Sequence, residues 1–302
     1  PAEIATLLAV PQGPSTRAPR PGNAGVLRRA RDAIAARLLA EDALHAVGQA
    51  ADPGQVLLQV HRAPVPTGYR PFPREIPHAA RWLRAQAPRD ARIPTTLDRG
   101  AQRLAQRRLR AEADHLAERG VRHGAVVVIE HETGAVRALV GNPRFGRGPG
   151  DQLAAFAVPR SSGSTLKPLI YARALDRGLA LPGARVPDVP RDRGGWIARN
   201  YSGRYAGLVR LEDALAASLN APFVDLLAQV GVPTLLDDLA ALGVRGLVPD
   251  PAHYGLAAAI GGVELSPLAL AGAYTALAGG GASPGLRIRR DRDAAPARPV
   301  YD

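Results

Sequence analysis

The chain has 302 residues, 46% of them hydrophobic, which is enough to bury a core in one large domain or two ordinary ones. It contains no cysteine, which excludes a disulfide scaffold, thiol catalysis and cysteine-based metal sites. The net charge of +12 is carried by scattered arginines, with no aromatic-interleaved basic stripe and no zinc-ligand spacing, so it argues for a basic surface and against a nucleic-acid partner.

Residues 1–50 read as helices: "PAEIATLLAV", a Pro-rich break, then "AGVLRRARDAIAARLLAEDALHAVGQA" with Leu27, Ile34, Leu38 and Leu39 along one side. Residues 51–94 are Pro-dense and poorly periodic, and read as an extended connector with a short amphipathic piece around Trp82 and Leu83. Residues 93–97 suit a short strand. Thr96 or Asp98 then caps a helix expected to turn Leu104, Leu109 and Leu116 inward. "GAVVVIEHETGAVRALVGNP" predicts a hairpin: strand 125–129, a turn at Thr133-Gly134 and strand 136–140. A helix opens in the Ser/Lys stretch and runs to about Arg177; residues 182–207 read as irregular. Further helices are expected at 211–219, 221–230, 233–242 and 267–278. Early paired strands followed mostly by helices imply an α+β fold.

Lys167, in "PRSSGSTLKPLIYARAL", is the single lysine; the other 38 of 39 basic residues are arginine. A charge or a carboxylate grip accepts arginine equally well, but only lysine loses its proton near neutral pH once desolvated. Ser164 stands three residues earlier. On one helical turn the amine reaches the hydroxyl, and a serine needs such a base before it attacks. Backbone N–H groups at the helix start suit an oxyanion. Ser and Lys three apart are nevertheless common on helices. The second element is Ser218-Leu219-Asn220, read as a helix-to-helix corner in which Pro222 forces Ala221 out of helical geometry. Its hydroxyl suits a proton relay and its amide a substrate amide, although Ser-Leu-Asn is also a generic helix stop. The order S-x-x-K then S-x-N is that of the serine-lysine penicillin-recognising enzymes.

"RSSGSTLKPLIYARALDRG" resembles the active-site box of class A penicillin-binding proteins, with Ser162 in place of the usual proline. "WIARNYSGRYAGLVRLEDALAASLNAPFVDLL", "LAAAIGGVELSPLALAGAYTALAGGG", "TTLDRGAQRLAQRRL" and "AVVVIEHETGAVRALVGNP" are similar to other parts of the same transpeptidase domain. "EIATLLAVPQGPSTRAPRPGNAGVLRRARDAI" resembles the tail of the preceding glycosyltransferase domain, and phrase by phrase the likeness is greatest to the penicillin-binding protein 1C subgroup.

The resemblance implies the α+β serine-lysine penicillin-recognising (β-lactamase-like) fold. Residues 1–50 would be C-terminal helices of a lysozyme-like glycosyltransferase domain, 51–94 a Pro-rich linker region, and 95–302 the transpeptidase domain lacking its C-terminal part. Ser164 would be the acylated nucleophile, Lys167 its base, Ser218 the proton relay and Asn220 a contact to the stem peptide. The reaction would cross-link peptidoglycan in a bifunctional synthase, with stem peptides, glycan strands and β-lactams as partners. Neither metal nor organic cofactor is implied. The protein would work on the periplasmic face of the cytoplasmic membrane, anchored by an N-terminal segment outside this chain. The family's Lys-Thr-Gly motif is absent, which reads as a chain cut short and predicts an unpaired sheet edge. Competing readings are a non-catalytic penicillin-binding scaffold and a carboxypeptidase- or β-lactamase-like hydrolase. Of lesser candidates, Tyr201 and Ser202 read as a loop whose aromatic ring packs on the sheet. Glu264 reads as a residue at a helix start or in a hydrogen bond, and the seven histidines as surface residues.

Overall fold

The computed structural model describes residues 1–41, 43, 52–68, 74–90, 92–292 and 296–301. Contacts divide the chain into two units, Pro1–Arg74 and Glu75–Asp302.

The first unit is helical. α1 (Ala2–Ala9) packs on α2 (Ala24–Ala40), and α3 (Pro53–Arg62) closes against both. α3 corrects the extended reading of its segment. Asp52 caps it by accepting from Gln55 N at 3.2 Å, Pro53 occupies the first turn where its missing N–H costs nothing, and Val56 and Val60 bury against Ala5 and Ala35. Arg31, expected on no core face, is fully buried. Its guanidinium donates to Ala63 O at 2.6 Å and to Asp32 Oδ1 at 2.7 Å, so the charge is matched where it is desolvated. The expected continuation of α2 through 44–50 lies outside the described residues.

The second unit opens with α4 (Pro77–Gln86), the amphipathic piece expected around Trp82, whose indole meets Phe156 edge-on at 5.5 Å. Residues 93–97 form a single bridge, Thr95 to Arg289, in place of a strand, while buried Thr96 ties three segments, its hydroxyl lying 2.9 Å from both Val136 O and Arg287 O and donating to one at a time. α5 (Arg99–His115) is capped by Asp98, which accepts from Ala101 N at 2.7 Å. Its inward face is the expected leucine row only in part: Leu109 packs against Ala105, Ala138 and Val140 and Leu116 is half-buried, but Leu104 is exposed and Gln102 is buried in the face. The reason is a backbone debt on the neighbouring strand. Gln102 accepts from Leu139 N at 2.8 Å and donates to Leu139 O at 3.3 Å, satisfying both polar groups of a strand residue that pairs with no strand on that side among the described residues.

β1 (Val126–Ile129) and β2 (Val136–Val140) form the expected antiparallel hairpin, Val126 opposite Val140 and Val127 opposite Leu139, with a bulge at Val128/Ile129. The other edge of β1 pairs with no strand among the described residues, and Val128 is exposed. The chain then runs through β3 (Arg160–Ser161), a 3-10 turn (Gly163–Leu166) and α6 (Lys167–Asp176). Residues 182–207, expected to be irregular, contain β4 (Arg185–Asp188), paired antiparallel with β5 (Gly207–Arg210). Helices α7 (Leu211–Ala216), α8 (Asn220–Val230), α9 (Val232–Ala241) and α10 (Pro251–Tyr254) follow. A 3-10 segment (Gly255–Ile260) leads to β6 (Glu264–Leu265), which pairs with β3, then to α11 (Pro267–Ala278), β7 (Ala282–Ser283) and β8 (Arg298–Pro299). The result is an α+β unit of many helices and short antiparallel pairs.

Its main core joins Leu166, Leu169 and Ile170 to Phe223, Val224 and Leu227 of α8, Leu235 and Leu239 of α9, and Ala273 and Ala276 of α11. Burying one such Leu or Phe contributes roughly 1.5–3 kcal/mol. Arg173 on α6 adds a polar cross-link, its Nε donating to buried Asp238 Oδ2 at 2.8 Å. These contacts fix α6 and α8 against each other, and with them the two sequence motifs.

Candidate functional site

The Ser/Lys box is held from below by the Gly261-Gly262 turn. Ser162 N donates to Val263 O at 3.0 Å, and Ser161 Oγ to Gly261 O at 2.8 Å. Gly261 has φ +126, and a Cβ there would lie 2.7 Å from Ser161 Oγ and 3.0 Å from Gly163 Cα, so only glycine fits. Ser162 is buried and its hydroxyl has no hydrogen-bond partner among the described residues, as befits a slot suited to an apolar ring. Gly163 turns the chain at φ +54. Ser164 sits half-buried on the 3-10 turn, and Lys167 begins α6 one turn later with Pro168 in the tolerated first turn.

The Lys167 side chain is 1% exposed. Its ammonium donates to Ser218 O at 2.7 Å, to Asn220 Oδ1 at 2.7 Å and to Ser218 Oγ at 3.2 Å, and lies 5.7 Å from the Phe223 ring centre. All three hydrogen bonds go to the Ser-Leu-Asn corner and none to Ser164. None of these partners carries a negative charge to offset desolvation, and burial pushes the ammonium down from 10.5 to about 8.

The corner is a Schellman-type stop. Leu219 N donates to Ala214 O and Ser218 N to Leu215 O, both at 2.9 Å, and Ser218 holds φ +53 in the left-handed position where glycine is usual. Ser218 is the one non-glycine residue with positive φ among the described residues. Such strain marks a position where a side chain is kept at a cost. The expectation that Pro222 forces Ala221 out of the helix is corrected: α8 starts at Asn220, and the chain leaves helical geometry earlier, at Ser218 and Leu219.

Two residues that sequence reasoning passed over complete the corner. Asn220 N donates to Asn200 Oδ1 at 2.7 Å, satisfying an orphan amide at the helix start. Asn200 Nδ2 in turn donates to both carboxylate oxygens of Asp188, at 2.8 and 2.9 Å, and Asp188 is fully buried. The signal was present in "NYSG" and the acid at the end of β4, but nothing in their spacing joined them.

The minor candidates are placed differently from expectation. Tyr201 is fully exposed and does not pack on a sheet; Ser202 closes its own loop by contacts to Arg204. Glu264 is an exposed residue of β6, while Ser266 caps α11 by accepting from Ala269 N at 3.1 Å. His78 is buried, against the surface reading, with Nε2 2.7 Å from Asp151 O and its ring on Phe145. No cluster of three metal-ligating side chains occurs among the described residues, and no helix among them is long and apolar enough to cross a membrane.

Residues 124–291 match the penicillin-binding protein transpeptidase domain, a span that contains the whole constellation. The chain is 32% identical over 228 residues to penicillin-binding protein 1C of Escherichia coli K12, an alignment covering 74% of this chain and 29% of that protein. It is 35% identical over 165 residues to penicillin-binding protein 1A of Neisseria gonorrhoeae, covering 52% of this chain and 20% of that protein. With penicillin-binding protein 1F of Bacillus subtilis it shares 37% identity over 161 residues, 52% of this chain and 21% of the relative. The chain thus spans less than a third of the length of each of these relatives. On the domain match, the chain belongs to the penicillin-binding protein transpeptidase family.

Proposed function

We propose that the second unit is the acyl-transfer half of a peptidoglycan cross-linking enzyme, with Ser164 as nucleophile and Lys167 as its base. The observation that carries this is the buried, lone lysine held by Ser218 and Asn220 rather than by a carboxylate. A salt-bridged lysine would keep its proton. This one gives it up near pH 8.

The hydrogen-bond chemistry supports a direction for the proton. A neutral amine keeps two N–H donors, which Ser218 O and Asn220 Oδ1 satisfy; of its three partners only the Ser218 hydroxyl can reverse and donate to the lone pair, and it turns away when that lone pair takes the proton of Ser164. Ser164 Oγ attacks the carbonyl of a terminal D-Ala-D-Ala bond and passes its proton to Lys167 Nζ. Collapse of the tetrahedral species breaks the C–N bond. Ser218 delivers the proton to the departing amine, and Lys167 replenishes it. An amine from a neighbouring strand then attacks the acyl-serine and releases it by the reverse relay. A β-lactam follows the first half of this course and remains attached.

The same reading takes residues 1–50 as the tail of a glycosyltransferase domain, 51–94 as the linking region and 95–302 as the transpeptidase part. The parent would be a bifunctional synthase at the periplasmic face of the membrane, with stem peptides and glycan strands as substrates. Incubation with a fluorescent penicillin and peptide mapping tests the chemistry. Label on Ser164, lost in Ser164→Ala and Lys167→Ala, is expected; label elsewhere, or none, refutes the assignment.

A further inference from the structure

The corner that receives Lys167 is itself oriented by groups that never meet the reacting atoms. Asp188 closes β4, is fully buried, and accepts from Asn200 Nδ2 and from Ala206 N at 2.8 Å. Asn200 is also buried; besides Asp188, its Nδ2 donates to Arg204 O at 3.0 Å. An amide has one acceptor end and one donor end. Since Asp188 and Arg204 O can only accept, the Asn200 NH2 must face them, and its Oδ1 must face the Asn220 N–H. The same logic repeats one step on. Asn220 Nδ2 donates to Arg199 O at 2.7 Å, which leaves Oδ1 towards Lys167.

We propose that Asp188 and Asn200 are positioning residues that, through the backbone and side chain of Asn220, orient the acceptor presented to Lys167. Asp188 sets which end of the Asn200 amide points at α8, Asn200 anchors the first amide of α8, and the neighbouring Arg199 carbonyl fixes the Asn220 amide. The loop is also tied to α8 at a second place, where Arg191 Nη1 lies 2.8 Å from Asp225 Oδ2 and Arg193 contacts the same carboxylate. A buried carboxylate with amide partners would be an expensive way to hold a loop already moored by two arginines. Its acceptor-only character explains why it is there: it removes the second orientation of an otherwise symmetric side chain.

This inference rests on the acyl-transfer reading for its purpose, but its test does not. Because Lys167 is the single lysine, protein labelled with 13C at lysine Cε gives one side-chain signal whose pH titration reads that amine directly. Asp188→Asn keeps the shape of the side chain, but with Ala206 N holding its oxygen the new NH2 faces Asn200 Nδ2, donor against donor, and pushes Asn200 off the Asn220 N–H. The prediction is a folded-state midpoint lowered by about one pH unit, as expected when an ammonium loses one acceptor. Unfolded molecules give a separate signal titrating at about 10.4, so partial unfolding is not mistaken for the effect. Should Asp188→Asn leave no folded signal, Asn200→Ser is measured in its place, with the same downward shift expected. An unchanged midpoint in the folded variant overturns the proposal. Penicillin labelling of the wild-type chain runs in parallel. A shifted titration without wild-type labelling keeps the positioning pair and sinks the acyl-transfer reading, whereas labelling with an unmoved titration does the opposite.

Discussion

Replacing Lys167 by Met separates the cost of burying an ammonium from every other role of that side chain. A fall from 10.5 to about 8 at about 1.4 kcal/mol per tenfold change in proton affinity corresponds to about 3 kcal/mol. The fold disfavours the protonated form, so the sign is fixed. Above 10.5 the amine is neutral in folded and unfolded chains alike and nothing is lost. As pH falls below 10.5 the unfolded chain takes up its proton first, and below 8 the whole cost is present. Lys167→Met has no such group. Its own penalty, two acceptors of the corner left without a donor, is about 1–3 kcal/mol each and does not depend on pH. Wild-type stability minus variant stability should therefore rise by roughly 2–3 kcal/mol between pH 7 and pH 10. The assay is urea unfolding followed by tryptophan fluorescence, since both Trp82 and Trp196 lie in the second unit. Tyrosine and surface titrations are common to both proteins and cancel in the difference. A difference flat across that range would refute the claim that Lys167 is desolvated without a compensating charge.

The same titration predicts the rate of acylation by a penicillin: it rises about tenfold per pH unit below 8 and levels off above it, and a flat profile in stopped-flow labelling would remove Lys167 as base. Ser218→Gly should change stability by less than about 1 kcal/mol, because relief of the left-handed backbone offsets the lost hydrogen bond, while labelling slows at least about tenfold. Gly261→Ala forces a methyl against Ser161 Oγ and the Gly163 backbone, so a loss of about 1–3 kcal/mol by urea titration and slower labelling are expected. Arg173→Ala strips the buried Asp238 of its partner and should cost about 3 kcal/mol, most of which Arg173→Met with Asp238→Leu restores; equal losses in the single and double variants would contradict this.

Legibility in the sequence followed the range of the interactions. Lys167 stood out because it was alone of its kind, and Ser164, Ser218 and Asn220 because short-range words carry them. The hairpin 126–140 was legible because a turn at Thr133-Gly134 separates two apolar runs. What failed did so where a distant partner overrides a local rule. The inward face of α5 was legible at Leu109 but not at Gln102, which is there to satisfy a strand residue of another element, Leu139, and a leucine in its place would leave that residue's polar groups unpaired. β4 was hidden by Pro187 within it and by a partner strand across a long loop. Asp188 and Asn200 looked like ordinary loop polars until the fold brought them under the start of α8. The helix α3 was masked by the proline that in fact starts it.

Residues 189–206 leave the body of the second unit with their base clamped and their crest bare: Trp196, Ile197 and Tyr201 all face solvent. Foundations and façade are thereby decoupled. Substitutions at Trp196, Ile197 or Tyr201 are therefore expected to leave the Asn200–Asn220 contact and the Lys167 hydrogen bonds in place.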